Sequence, residues 1–167
     1  MSRTLSRTRG TTWFSGRAGL PARQPYCVFN TTQESFLGMN VLRADTELAR
    51  LRGLLGKLRL KSGDGLWVVP SRGIHTVGLL FPIDVVYLDE ENRVVHCIEH
   101  LSPFRISPLR LKSASVLELP RHSIYASQTR VGHRILICRP QEMESYLRDL
   151  RVGWRAPGVA AKGSVPR

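Results

Sequence analysis

The sequence predicts a mainly β, β-rich α+β domain: a compact small barrel or sandwich with one amphipathic helix. Three observations carry that expectation. Short apolar runs of four to nine residues recur between turn signals along most of the chain. One segment near residues 46–60 has strong helical periodicity, and a second, shorter helix is expected close to the C-terminal end. There is no internal repeat, so many short strands around a single helix point to one barrel or sandwich core.

Taken in order, "YCVFN" (26–30) and "SFLGMNVL" (35–42) read as strands joined by the turn "TTQE", a hairpin. Asp45 and Thr46 offer N-caps to "ELARLRGLLGKLRL". At helical spacing Leu48, Leu51, Leu54, Leu55 and Leu58 fall on one arc, bordered by Arg50, Arg52, Lys57, Arg59 and Lys61. Basic stems can lie along the edges of such an arc with their charges in water, so this face is expected in the core. Gly53 and Gly56 fall on the outward side, where each costs about 1 kcal/mol against Ala. That cost suggests an early helix end or a close neighbour. After the turn "KSGDG", strands follow as "LWVV", "FPIDVVYLD", "RVVHCIEH", "SVLELP" and "HRILIC". The tight "DEEN" turn lies between the fourth and fifth expected strands, "FPIDVVYLD" and "RVVHCIEH", which should pair antiparallel. "QEMESYLRDL" closes the ordered part as a short helix.

The chain has 167 residues, 42% hydrophobic and 23% charged, which is ordinary globular composition with room for a real core. Its net charge of +12 is concentrated at the ends. Residues 1–23 hold five arginines and no acid; residues 151–167 hold Arg151, Arg155, Lys162 and Arg167 and no acid. Without those nine, 24–150 carries 16 basic against 13 acidic residues. The expected organisation is a disordered basic extension at 1–24, one β-rich domain at 25–150, and a flexible basic tail at 151–167. Basic tails favour weak electrostatic attraction to nucleic acid over a specific reading surface. No strand interleaves aromatic and basic residues as a base-stacking platform does.

Cys27, Cys97 and Cys138 are odd in number, far apart and set in apolar runs, which suits reduced structural thiols and a cytoplasmic location. No apolar run approaches the ~18 residues of a membrane helix, and the N-terminal end lacks the apolar centre of a secretory signal. An Arg-, Ser- and Thr-rich start superficially fits organelle targeting, but a disordered extension is the simpler reading. No membrane association is expected, and no cofactor or metal.

"HCIEH" (His96 to His100) matches the H-x-x-E-H of one zinc peptidase class. That chemistry needs a helix, whereas Val94, Val95 and Ile98 write strand grammar. On a strand the two histidines lie ~13 Å apart, too far to share a zinc at ~2 Å. "SGDG" lacks the third glycine and the following helix of a dinucleotide fingerprint. Walker A, G-x-S-x-G and paired-carboxylate motifs are absent from the sequence.

The ordered set "RGLLGK", "GLWVVP", "IHTVGLLFPIDVVYLDEENRVV", "VLELP" and "VGHRI" resembles the domain-of-unknown-function family 192, a widespread prokaryotic family, over about residues 26–138. The resemblance centres on the Pro82-Ile83-Asp84-Val85 run and Asp89. Many members carry a Trp-Met-Lys-Asn-Thr type segment where this chain has His75-Thr76-Val77-Gly78-Leu79, so it looks like a His-Thr branch that has lost the Lys and Asn. The resemblance implies a compact β-rich domain and supplies no reaction, cofactor or ligand.

Asp84 is the residue that needs explaining. On a strand it shares a face with Pro82, Val86 and Leu88, while Ile83, Val85 and Tyr87 take the other. Both faces are apolar, so the strand should be central and the carboxylate at least partly buried. A buried carboxylate requires partners. The nearest in sequence are the amides of the Gly73–Leu79 loop, the Thr76 hydroxyl, His75 and Arg72. The leading expectation is that Asp84 pins this loop in a non-enzymatic binding or interaction domain whose partner is a small ligand or protein. The competing reading is an enzyme in which His75 and Asp84 converge on one pocket as an acid–base pair. Trp67 is expected in the core.

Overall fold

The computed structural model of the protein describes residues 24–45 and 59–153. Seven strands form one sheet: β1 (Tyr26–Asn30), β2 (Ser35–Ala44), β3 (Asp64–Val68), β4 (Ile83–Leu88), β5 (Val94–Leu101), β6 (Ser115–Pro120) and β7 (Ile135–Cys138). Two helices accompany them among the described residues, α1 (Ser123–Ala126) and α2 (Pro140–Gly153). All seven expected runs are strands. The helix expected near residues 46–60 lies outside the described residues except for Arg59 and Leu60, which are not helical. The expected tails also fall outside them, apart from Gln24 at one end and residues 151–153 at the other, which continue α2.

The spatial order is β5-β4-β6-β3-β2-β1-β7. Every neighbouring pair is antiparallel except β2 and β3, which run parallel and so cannot be joined by a hairpin. β5 and β7 are the sheet edges, yet their starting residues meet. Val94 N–H donates to the His133 carbonyl at 2.9 Å, Gly132 N–H to Val94 at 2.8 Å, and Ile135 N–H to Asn92 at 2.9 Å. This seam curls the sheet into a half-barrel and covers part of two edges that would otherwise be open to pairing.

The strand period of two divides the apolar residues between the faces of the sheet. Val28, Leu37, Val41, Val86, Leu88, Leu117, Leu119 and Ile135 pack together on one face, with Ile124 from α1. Ala44, Leu66, Val68, Ile83, Val85, Tyr87 and Val116 form a second cluster on the other. β4 contributes to both, and all six of its residues are buried, as its doubly apolar sequence requires. A third cluster seats α2 on β1 and β7. Met143, Tyr146, Leu147 and Leu150, at helical spacing, meet Cys27 and Phe29. Pro140 opens this helix without wasting a donor, and Glu142 accepts the Arg139 N–H at 2.7 Å, closing its first turn.

Candidate functional site

Asp84 is fully buried and both of its oxygens are used. Oδ1 accepts the backbone N–H of His100 at 3.0 Å, from the end of β5. Oδ2 accepts the N–H of Ile124 at 3.0 Å, in α1. The carboxylate thus ties β4, an interior strand next to the β5 edge, to two segments 16 and 40 residues downstream. Both segments carry a histidine in left-handed backbone, His100 at φ 55° and His122 at φ 67°. Such backbone is uncommon away from glycine and persists where neighbours fix it. Nε2 of His100 lies 3.2 Å from Nδ1 of His122, with the rings edge-to-face at 4.6 Å. Both side chains are exposed.

The four sequence candidates do not converge. Asp84 takes neither a loop amide nor a hydroxyl from residues 73–79. Thr76 is also fully buried, but its hydroxyl donates to the Ser102 carbonyl at 2.7 Å and accepts the Arg105 N–H at 2.9 Å. His75 is exposed and forms an isolated bridge with Ile106. Arg72 is exposed and accepts the Arg110 N–H on its carbonyl at 2.8 Å. The 71–79 loop is pinned by the 102–110 segment, with Thr76 as its hub, and Asp84 serves a different corner.

That corner borders a cavity of about 450 Å³, within the usual range for small-molecule sites. Its apolar wall comes from Phe36 and Met39 of β2, Leu60, Phe81, Pro82 and Pro120. Its basic groups are Arg59, Arg121 and His122, its hydroxyls are Ser62 and Ser123, and no carboxylate among the described residues lines it. Asp84 sits one strand position beyond Pro82 and Ile83 and holds the segment that supplies His122 and Ser123. Gly38 and Gly63 bring the floor together: a Cβ on Gly38 would come 2.6 Å from Val41 Cγ2 and 3.3 Å from the Gly63 carbonyl.

Other polar groups behave as strand patterning dictates. His96 and His100 of "HCIEH" lie on β5 and go separate ways. His96 Nε2 meets Arg110 Nη2 at 2.9 Å, and burial, then the Arg110 charge, pushes its pKa down. Among the described residues no group of three or more His, Cys, Asp or Glu is placed to hold a metal. Glu118 on β6 is buried between Leu66 and Val85 in register, and burial raises its pKa to about 7. Its signal was available in the sequence: like Asp84, it is an acid inside the apolar run "SVLELP". The three cysteines are free thiols, and Cys27 stands opposite Cys138 across β1 and β7.

A family model, DUF192 (Uncharacterized ACR), matches residues 28–137. No curated protein matches the chain. Two solved structures share the fold. A protein of unknown function from Novosphingobium aromaticivorans DSM 12444 is 18% identical, with a TM-score of 0.59 over 76% of this chain and 99% of that one. A protein from Sinorhizobium meliloti 1021, described as a candidate transcription regulator, is 14% identical, with a TM-score of 0.57 over 67% of this chain and 91% of that one. At these identities the likeness concerns fold alone.

Proposed function

The chain belongs to the uncharacterised family DUF192, which supplies a fold but no reaction, and we propose that this member is a non-enzymatic binding domain for a small apolar anion. One observation carries the reading: the apolar cavity beside α1 is lined by Arg59, Arg121 and His122 and, among the described residues, by no carboxylate. Burying an apolar body in such a cavity contributes about 25 cal/mol per Å² removed from water. Cationic rim groups then select a carboxylate or phosphate end over an ammonium one. The rival acid–base reading needed His75 and Asp84 in one pocket. Asp84 instead spends both oxygens on backbone amides, and His75 faces outward on another loop.

The test uses octanoate, octanol and octylammonium as probes. A ligand that binds only the folded state raises the unfolding midpoint in proportion to ln(1 + [L]/Kd). At equal concentration octanoate should raise it most and octylammonium least. Arg121→Glu should erase that order, and Ala126→Trp, which fills the cavity, should abolish all three responses. Equal responses to octanoate and octylammonium, or a response that survives Ala126→Trp, would refute the proposal.

A further inference from the structure

A second surface lies away from the cavity and rests on different residues. Residues 71–80 and 102–111 form a paired layer of loops. Ser107 N–H donates to Ile74 at 2.9 Å, Phe104 N–H to Thr76 at 3.0 Å, and Thr76 N–H to Arg105 at 2.8 Å. Buried Thr76 and Ser107 bolt the layer from inside. A layer so well satisfied internally should keep its side chains buried or polar, yet six large apolar ones project into solvent. Val77, Leu80, Phe104, Ile106, Leu109 and Leu111 are between 52% and 81% exposed. Scattered single exposures are ordinary; six on two hydrogen-bonded loops are a marked surface.

Charge narrows the occupant. The two loops carry exposed Arg72 and Arg105, with exposed Lys112 directly after them, and no acidic residue. Arg110 is turned inward on His96. Asp89, Glu90 and Glu91 border the layer at a groove they share with Arg72, Leu111 and Lys112. A second copy would set like charge against like. Nucleic acid would leave five aliphatic side chains without a use, since of the six only Phe104 offers a ring. Projecting apolar side chains among cations, on a chain whose two ends add nine cations and no acid, match a surface that is anionic outside and apolar just beneath. We infer that this loop layer docks on an anionic lipid bilayer, inserting its apolar side chains at the headgroup level. Stable attachment takes two signals, here apolar insertion and basic charge. The docking is peripheral: no helix among the described residues is long and apolar enough to cross a membrane. It replaces the expectation of no membrane association, which rested on spanning segments.

The test is flotation of the full-length chain with vesicles of equimolar phosphatidylglycerol and phosphatidylcholine, against phosphatidylcholine alone. Binding should require the anionic lipid and fall with salt. The triple variant Leu80→Ser, Ile106→Ser, Leu111→Ser changes only exposed side chains and should weaken binding at least tenfold, with the cavity's response to octanoate unchanged. Arg105→Glu with Lys112→Glu should weaken it as well. Binding unaltered in the triple variant would assign it to the charged ends alone and overturn the inference. So would a failure to float with either vesicle, including the case in which the same triple variant abolishes capture of an acidic protein or self-association instead.

Discussion

Replacing Asp84 with Asn removes one charge and one acceptor from a site with no spare partner. Asparagine keeps a single carbonyl oxygen, so one of the His100 and Ile124 amides then faces an NH₂ group. A hydrogen bond to a charged group contributes about 1.5–3 kcal/mol, and a buried donor left unpaired costs about 1–3 kcal/mol. The burial of Asp84, at 0% exposure, means water cannot take over. The change should therefore cost about 3 kcal/mol, which at about 4 °C per kcal/mol lowers the unfolding midpoint by roughly 12 °C. Calorimetry at pH 7 against the parent reads the shift, and hydrogen exchange at the His100 and Ile124 amides reads its location. Those two amides should exchange faster than others in β4 and β6. A midpoint within about 2 °C of the parent, with both amides still protected, would mean that the carboxylate is not what joins these segments.

Glu118 should give the chain an acid-stabilised component. Its folded pKa is raised from 4.5 to about 7 by burial, so the folded state holds the proton more tightly than the unfolded one. That contribution is fully present below about pH 4.5 and is lost as pH climbs through 7, about 3 kcal/mol in all. Glu118→Gln should flatten the pH dependence between 5 and 8 and raise the midpoint at pH 8; parallel curves for parent and variant would contradict this. Cys97, whose pKa burial pushes up to about 12, should resist alkylation in the native protein at pH 8 and react freely once unfolded. Native labelling at the unfolded rate would show that the thiol is not shielded. A Cβ at Gly65 would meet Leu119 Cδ2 at 3.0 Å, the Glu118 carbonyl at 3.1 Å and Val41 Cγ2 at 3.2 Å. Gly65→Ala should cost about 1–3 kcal/mol in chemical denaturation, and a neutral result would mean the strands part without strain.

Strands were legible because each apolar run is punctuated by turn residues, and the two apolar faces of "IDVVYL" marked a strand buried on both sides with its acid, although it lies next to the β5 edge and not at the centre of the sheet. The partners of that acid were not legible. Proximity in sequence favoured Thr76 and His75, but the order β5-β4-β6 sets the end of β5 and the start of α1 on either side of Asp84 instead. Both donors are backbone amides, which leave no side-chain signature. α1 has four residues and no periodicity to read. His100 drew notice only as half of a metal motif; its real neighbour His122 is 22 residues away. The cavity escaped for a related reason, since its wall is assembled from separate segments between Phe36 and Ala126.

Binding of an apolar anion in the cavity beside α1 is tested most directly by locating the contact. Amide chemical shifts of the ¹⁵N-labelled chain, followed through an octanoate titration, locate the contact residue by residue. Saturating shifts are expected at Leu37, Gly38, Arg121, His122 and Ser123, with smaller ones at His100 and Ile124 through the Asp84 clamp. Saturating shifts confined to residues 74–80 and 104–111, or none that saturate anywhere, would contradict binding in the cavity.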